Sequence, residues 1–122
     1  MAKVFFARTA FEKVLDVNPE ETNEELQVLG YSYDWADGRR LRIVLSIRER
    51  TFKMSVRRGE EFISAASGSE LVAVRVLSVP HKKLKISYGP KGHLFYIHFS
   101  LDRERDPIWI EYPWDKVIDD SL

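Results

Sequence analysis

The sequence predicts a mainly β protein, with an α+β arrangement as the alternative: an antiparallel meander of about seven strands rolled into a barrel or a sandwich, with short helices near both ends. Three observations predict it. Apolar and polar residues alternate with a period of two through much of the stretch from Leu29 to Leu101. Turn-forming pairs such as Asp37-Gly38 and Gly89-Pro90 divide that stretch at short intervals. Finally, 122 residues of which 44% are hydrophobic and 12% aromatic suffice for one folded domain over 1–122.

The first element reads as a helix. Thr9 followed by Glu12 has capping-box spacing, and Phe11, Val14 and Leu15 would share one helical face. A strand over 11–17 is the competing reading, because so short a segment does not separate the two periods. Asn18, Pro19 and Glu21 give a second helix-start signal. From Leu29 the period is two, with Leu29, Tyr31, Tyr33 and Trp35 on one phase. Leu41, Ile43, Leu45 and Ile47 mark a second strand, and Phe52, Met54 and Val56 a third. Further strands are expected over 71–79, 84–88, 93–101 and 108–112, the first of them apolar on both phases and so central. Residues 60–66 read as one or two helical turns, and Pro113 can open a C-terminal helix that packs Trp114, Val117 and Ile118 inward.

Register follows from keeping the apolar phases on one face. A three-residue loop over 36–38, with Gly38 left-handed, sets Tyr33 opposite Leu41, Tyr31 opposite Ile43 and Asp34 opposite Arg40. A turn at Glu49-Arg50 pairs Leu45 with Met54 and places Arg42 directly opposite Arg57, which calls for something anionic between them. A four-residue loop over 89–92 pairs Ile86 with Phe95 and Leu84 with Ile97. It puts Lys85 beside Tyr96 and Lys83 beside His98 on the outward side.

Charge is segregated along the chain. The formal net charge is zero, yet residues 1–38 carry 3 Lys/Arg against 8 Asp/Glu, residues 39–91 carry 13 against 4, and residues 92–122 carry 3 against 7. The basic centre meets either an anionic partner or the chain's own acidic ends. Arg42, Lys53 and Arg57 are the candidates for a partner or anion site. Their structural alternative is a sheet face neutralised by Glu20, Glu21, Glu24 and Glu25.

Lys83, Lys85, Tyr96 and His98 extend the candidate surface, since cations interleaved with aromatics can hold a phosphate and stack a base. Acid–base chemistry at His98 is not expected, because nothing in the sequence orients the imidazole. His93 and His98 fall on opposite strand faces, so they do not share a metal, and His81 adds no ligand pattern. The Gly89-Pro90-Lys91-Gly92 segment lacks the spacing of a phosphate-binding loop and reads as a tight turn. Without cysteine there are no disulfides, thiol catalysis or thiolate metal sites, which suits a reducing compartment. No apolar run approaches the roughly 20 residues of a membrane span. Neither catalysis, nor a cofactor, nor a metal, nor export is expected; a cytoplasmic protein is.

Trp109, Tyr112 and Trp114 are either core aromatics or, with their acidic neighbours, a protein-binding patch. The expectation is a small non-enzymatic module that binds, and inhibits or neutralises, a protein partner, a description that small inhibitor and immunity proteins fit. Two alternatives stay open. One is nucleic-acid binding through Arg42, Lys53, Arg57, Lys83 and Lys85 with Tyr96 stacking, against which the pI near 6.8 argues. The other is a barrel enclosing a small apolar ligand.

Overall fold

In the computed structural model, residues 4–25, 27–90, 94–102 and 108–111 are described, and for Glu21 and 108–111 only the backbone is. The alternating segments form two five-stranded sheets. The first contains β1 (Phe5–Phe6), β7 (Leu71–Ser78), β8 (Lys83–Tyr88), β9 (Phe95–Ser100) and β10 (Ile108–Glu111), hydrogen-bonded in that order. The second contains β2 (Glu21–Asn23), β3 (Val28–Asp34), β4 (Arg39–Ser46), β5 (Thr51–Arg58) and β6 (Glu61–Ser69). All pairs are antiparallel except β1 with β7, which run parallel with Phe5 beside Ala73. The sheets do not close into a barrel.

Strand periodicity decides what each sheet buries. Tyr31, Leu41, Ile43, Leu45, Phe52, Met54 and Val56 point inward from the second sheet, and Val74, Leu84, Ile86, Ile97 and Phe99 from the first. These residues belong to one hydrophobic cluster, which leaves two outward faces for polar groups. Because its own side chains fill that interior, the expected alternative of a ligand-enclosing barrel is corrected. Glu70, at φ 56°, makes the sharp corner by which the chain leaves β6 for β7. Three contacts also tie the sheets: the Leu71 N–H donates to Arg50 O at 2.9 Å, Trp35 Nε1 donates to Leu101 O at 2.6 Å, and Lys82 Nζ donates to Tyr33 Oη at 3.1 Å.

The one described helix, α1 (Arg8–Leu15), buries Phe11, Val14 and Leu15. Its N-cap is Ala7, without a side-chain cap, so the Thr9–Glu12 capping box does not form. Glu12 has another use: Tyr31 Oη and Arg8 Nε both donate to its Oε2, at 2.6 and 2.9 Å. Burial pushes the Glu12 carboxyl up, but these two hydrogen bonds outweigh it and hold the group below its ordinary 4.5. Its folded value is therefore the lower one, so its stabilising contribution is complete above about pH 4.5 and disappears as the pH falls through the folded value. The expected result is that wild type is more stable than Glu12→Gln near neutrality, and that the difference shrinks in urea titrations repeated from about pH 6 to about pH 3. A difference that grows in acid would contradict this account.

Several local expectations are revised. Asn18, Pro19 and Glu21 start no helix, since the chain enters the short strand β2. Residues 60–66 are strand, not helix: β6 pairs with β5 along its length, with a bulge between Val56 and Arg57. The proposed C-terminal helix at Pro113 lies outside the described residues. The β3–β4 register matches expectation at every pair, including Asp34 with Arg40, and Gly38 stands at φ 94° in the three-residue loop. The next register is displaced by two residues. A four-residue loop over 47–50 pairs Leu45 with Phe52 and Ile43 with Met54, so Arg42 faces Ser55 and Arg57 faces Arg40. The β8–β9 hairpin is displaced in the same way, with Ile86 opposite Ile97, Lys85 opposite His98 and Lys83 opposite Ser100.

At Gly68, β6 passes directly against Tyr88 of the first sheet. A Cβ there would stand 2.7 Å from Tyr88 Cδ2 and Cε2, and 2.8 Å from Phe52 Cε1. Those two rings already meet edge to face at 5.0 Å, so neither can withdraw without disturbing the other. Gly68→Ala is expected to destabilise by about 1–3 kcal/mol, read as a lower denaturant midpoint at unchanged slope.

Candidate functional site

The outer face of the second sheet gathers the basic centre of the sequence. Alternation along β4 and β5 turns Arg40, Arg42, Lys53, Ser55 and Arg57 away from the core. Like charges do face one another there, though not in the expected pair. Arg40 opposite Arg57 and Arg39 opposite Arg58 are the observed neighbours. Each clash is relieved differently. Arg40 is held by a two-pronged pair with Asp34, at 2.7 and 3.1 Å, while Asp37 accepts Arg39 at 2.7 Å and Arg58 at 3.5 Å. The hydrogen bond from Arg40 lowers the Asp34 carboxyl, and the Arg39 backbone N–H, followed by its side chain, lowers that of Asp37.

The acidic N-terminal segment neutralises part of this face. Glu20 Oε2 accepts from Arg42 Nη1 at 3.1 Å and from Ser32 Oγ at 3.1 Å. Lys53 and Arg57 differ. Neither forms an ion pair with a described residue, and Arg57 lies 5.7 Å from the centroid of the exposed Phe62 ring. Between them runs a groove of about 550 Å³ whose cationic walls are Arg42, Lys53 and Arg57, and whose apolar lining includes Val44, Phe62 and Ala65. Phe62, Ala65 and Ser67 were not legible as site residues, because β6 is rich in serine, alanine and glycine and shows no apolar alternation.

The first sheet carries the other candidates. Register and alternation put Arg75, Lys85 and His98 in one row on its outer face, and Trp109 holds the next position beside His98. Arg75 and Lys85 are directly opposed cations, and each turns onto a ring. Arg75 lies 4.5 Å from the Phe5 centroid and Lys85 Nζ 4.2 Å from that of Tyr96. Lys83 is exposed at the edge of this row. His93, Tyr112 and Trp114 lie outside the described residues. The seven expected polar candidates therefore divide between two outward faces: Arg42, Lys53 and Arg57 on one, Lys83, Lys85, Tyr96 and His98 on the other.

Among the described residues, no group of three or more His, Asp or Glu side chains is arranged to hold a metal ion. No helix among them is long and apolar enough to cross a membrane.

A solved chain shares this fold. It belongs to the contact-dependent growth inhibition toxin–immunity protein complex from Klebsiella pneumoniae 342, with a TM-score of 0.72 and 15% identity over 91% of this chain and 96% of that one. The likeness is one of fold. The chain matches no family model, and no curated protein matches its sequence.

Proposed function

We propose that this chain is a non-enzymatic protein-binding module of the immunity type, which engages a partner protein through the groove of Arg42, Lys53 and Arg57 and blocks it in the cytoplasm. The observation that carries the reading is the fold likeness to a chain of a toxin–immunity protein complex across nearly the whole length of both. The groove supplies the location. Its two cations without a carboxylate among the described residues stand beside an exposed aromatic ring, a combination of charge and apolar surface suited to orienting an acidic partner.

Nucleic-acid binding draws less support from the geometry. The cations it would need face two different directions, and the Tyr96 ring that would stack a base already lies under the Lys85 ammonium. Three experiments test the reading. Tagged wild-type protein and a Lys53→Glu/Arg57→Glu variant are compared in pull-downs from the source cells, with one protein partner expected on the wild type and lost on the variant. Fluorescence anisotropy against single- and double-stranded DNA and RNA at low salt is expected to show no binding. Salt-sensitive binding there would favour the nucleic-acid reading. Expressing the chain without a partner should leave host growth unchanged. Growth arrest would assign it to the toxin side of such a pair.

A further inference from the structure

The second sheet ends at β6, and this edge differs from the others. The edge strands β1, β2 and β10 span two, three and four residues, whereas β6 spans nine. Proteins keep exposed edges short, or protect them with lysine, proline or a covering segment, because unpaired N–H and C=O groups along a strand template another one. Residues 62–69 contain no charged residue and no proline. Apart from its ladder with β5, no residue of β6 makes a backbone hydrogen bond to another described residue. The bulge at Val56/Arg57 bends the Glu61 end, which leaves 64–69 in regular register.

The outer face of the strand says what could pair there. Ala65 and Ser67 stand opposite Ser55 and Lys53, and both are small and exposed. A strand added beyond β6 would lie about 10 Å from β5, at two strand spacings. Its outward side chains could cross Ser67 and Ala65 to meet Lys53 halfway, and pass the Phe62 ring to meet Arg57, which stands opposite it. A second copy of this chain fits the edge poorly. Antiparallel pairing centred on Ala65 sets Glu60 of one copy against Glu70 of the other, and a shift of one residue sets Glu61 against Glu70.

We propose that β6 takes up an extended acidic segment of the partner protein as a sixth strand of the second sheet, with carboxylates on alternate residues facing Lys53 and Arg57. This rests on the protein-binding reading above and specifies the form in which the partner is held. Backbone pairing would supply affinity, and the alternate carboxylates would supply selectivity.

The test uses the full chain and labelled peptides of about seven residues, one alternating Glu and Val and one alternating Lys and Val. The Glu–Val peptide is expected to bind at least about tenfold more tightly. On binding, amides at alternate positions of 61–69 should gain protection from hydrogen exchange. Of Ser64→Pro and Ala65→Pro, the one whose N–H points outward should abolish binding with the circular dichroism spectrum unchanged. Should both prolines disturb folding, Lys53→Glu/Arg57→Glu, which touches only exposed side chains, should still reverse the peptide preference.

Protection outside β6, or no alternating protection at about millimolar peptide, would overturn the proposal, as would a homodimer that either proline dissociates. If the peptides fail while the captured partner still depends on Lys53 and Arg57, edge pairing falls and the protein-binding reading stands. If the partner is indifferent to both residues, that reading falls as well.

Discussion

Lys53→Glu/Arg57→Glu is expected to weaken binding of the captured partner by about 100-fold, roughly 3 kcal/mol, with little change in the stability of the protein itself. The asymmetry follows from what the two residues touch. Both are exposed, and neither pairs with a described carboxylate, so reversing them breaks no ion pair seen in the fold. In a complex they would be desolvated against an acidic surface, where losing an attraction and gaining a repulsion act together. A matched variant, Lys13→Glu/Lys83→Glu, makes the same change in net charge at exposed positions away from the groove. It should slow association slightly through the long-range field and alter affinity by no more than about threefold. Titration calorimetry or surface-based kinetics would separate the two. Equal losses in both variants would mean that total charge matters and the groove does not.

Phe11→Ala carries the largest expected effect on stability, about 3–5 kcal/mol against a total that for such domains is usually about 5–15 kcal/mol. Phe11 is fully buried, and its ring stands edge to face against Phe6 at 5.4 Å and Tyr31 at 5.0 Å. Those partners belong to different sheets, so one side chain joins helix, first sheet and second sheet. Truncation leaves a cavity at that junction and removes two favourable ring contacts. Phe11→Leu keeps most of the volume and should lose clearly less. Urea unfolding monitored by tryptophan fluorescence measures both, and a loss below about 1 kcal/mol for alanine would show that the junction collapses freely.

The contrast among the hairpins shows what a sequence of this kind can and cannot specify. Between β3 and β4, Gly38 is the residue suited to a positive φ, and the side-chain phases then allowed one short loop, so every pair was legible. Around Arg50, and again after Tyr88, the apolar phase excludes displacements by one residue but permits displacements by two, which put the same faces in contact. Around Arg50 the loop settled the choice. Arg50 adopts φ 59°, a conformation the sequence does not advertise in an arginine, and accepts the Leu71 N–H from the other sheet. Strand β6 was missed for a related reason. Its small residues are dictated by Tyr88 crowding Gly68 and by the shallow face beside Lys53, both tertiary facts. The basic residues of the site could be named in advance, but not their division between two faces or the carboxylates assigned to them.

The parallel pairing of β1 with β7 has a consequence for how the chain acquires its structure. Every strand from β3 to β6 pairs with its immediate predecessor, so the second sheet can grow from local hairpins. Phe5, in contrast, must find Ala73, far along the chain, and α1 packs against that same strand. During synthesis the helix therefore leaves the ribosome well before β7, and the side of it that packs on that strand stays uncovered until β7 follows. The segment that locks the finished core is also the one exposed longest to chaperones and to unwanted partners before the core exists.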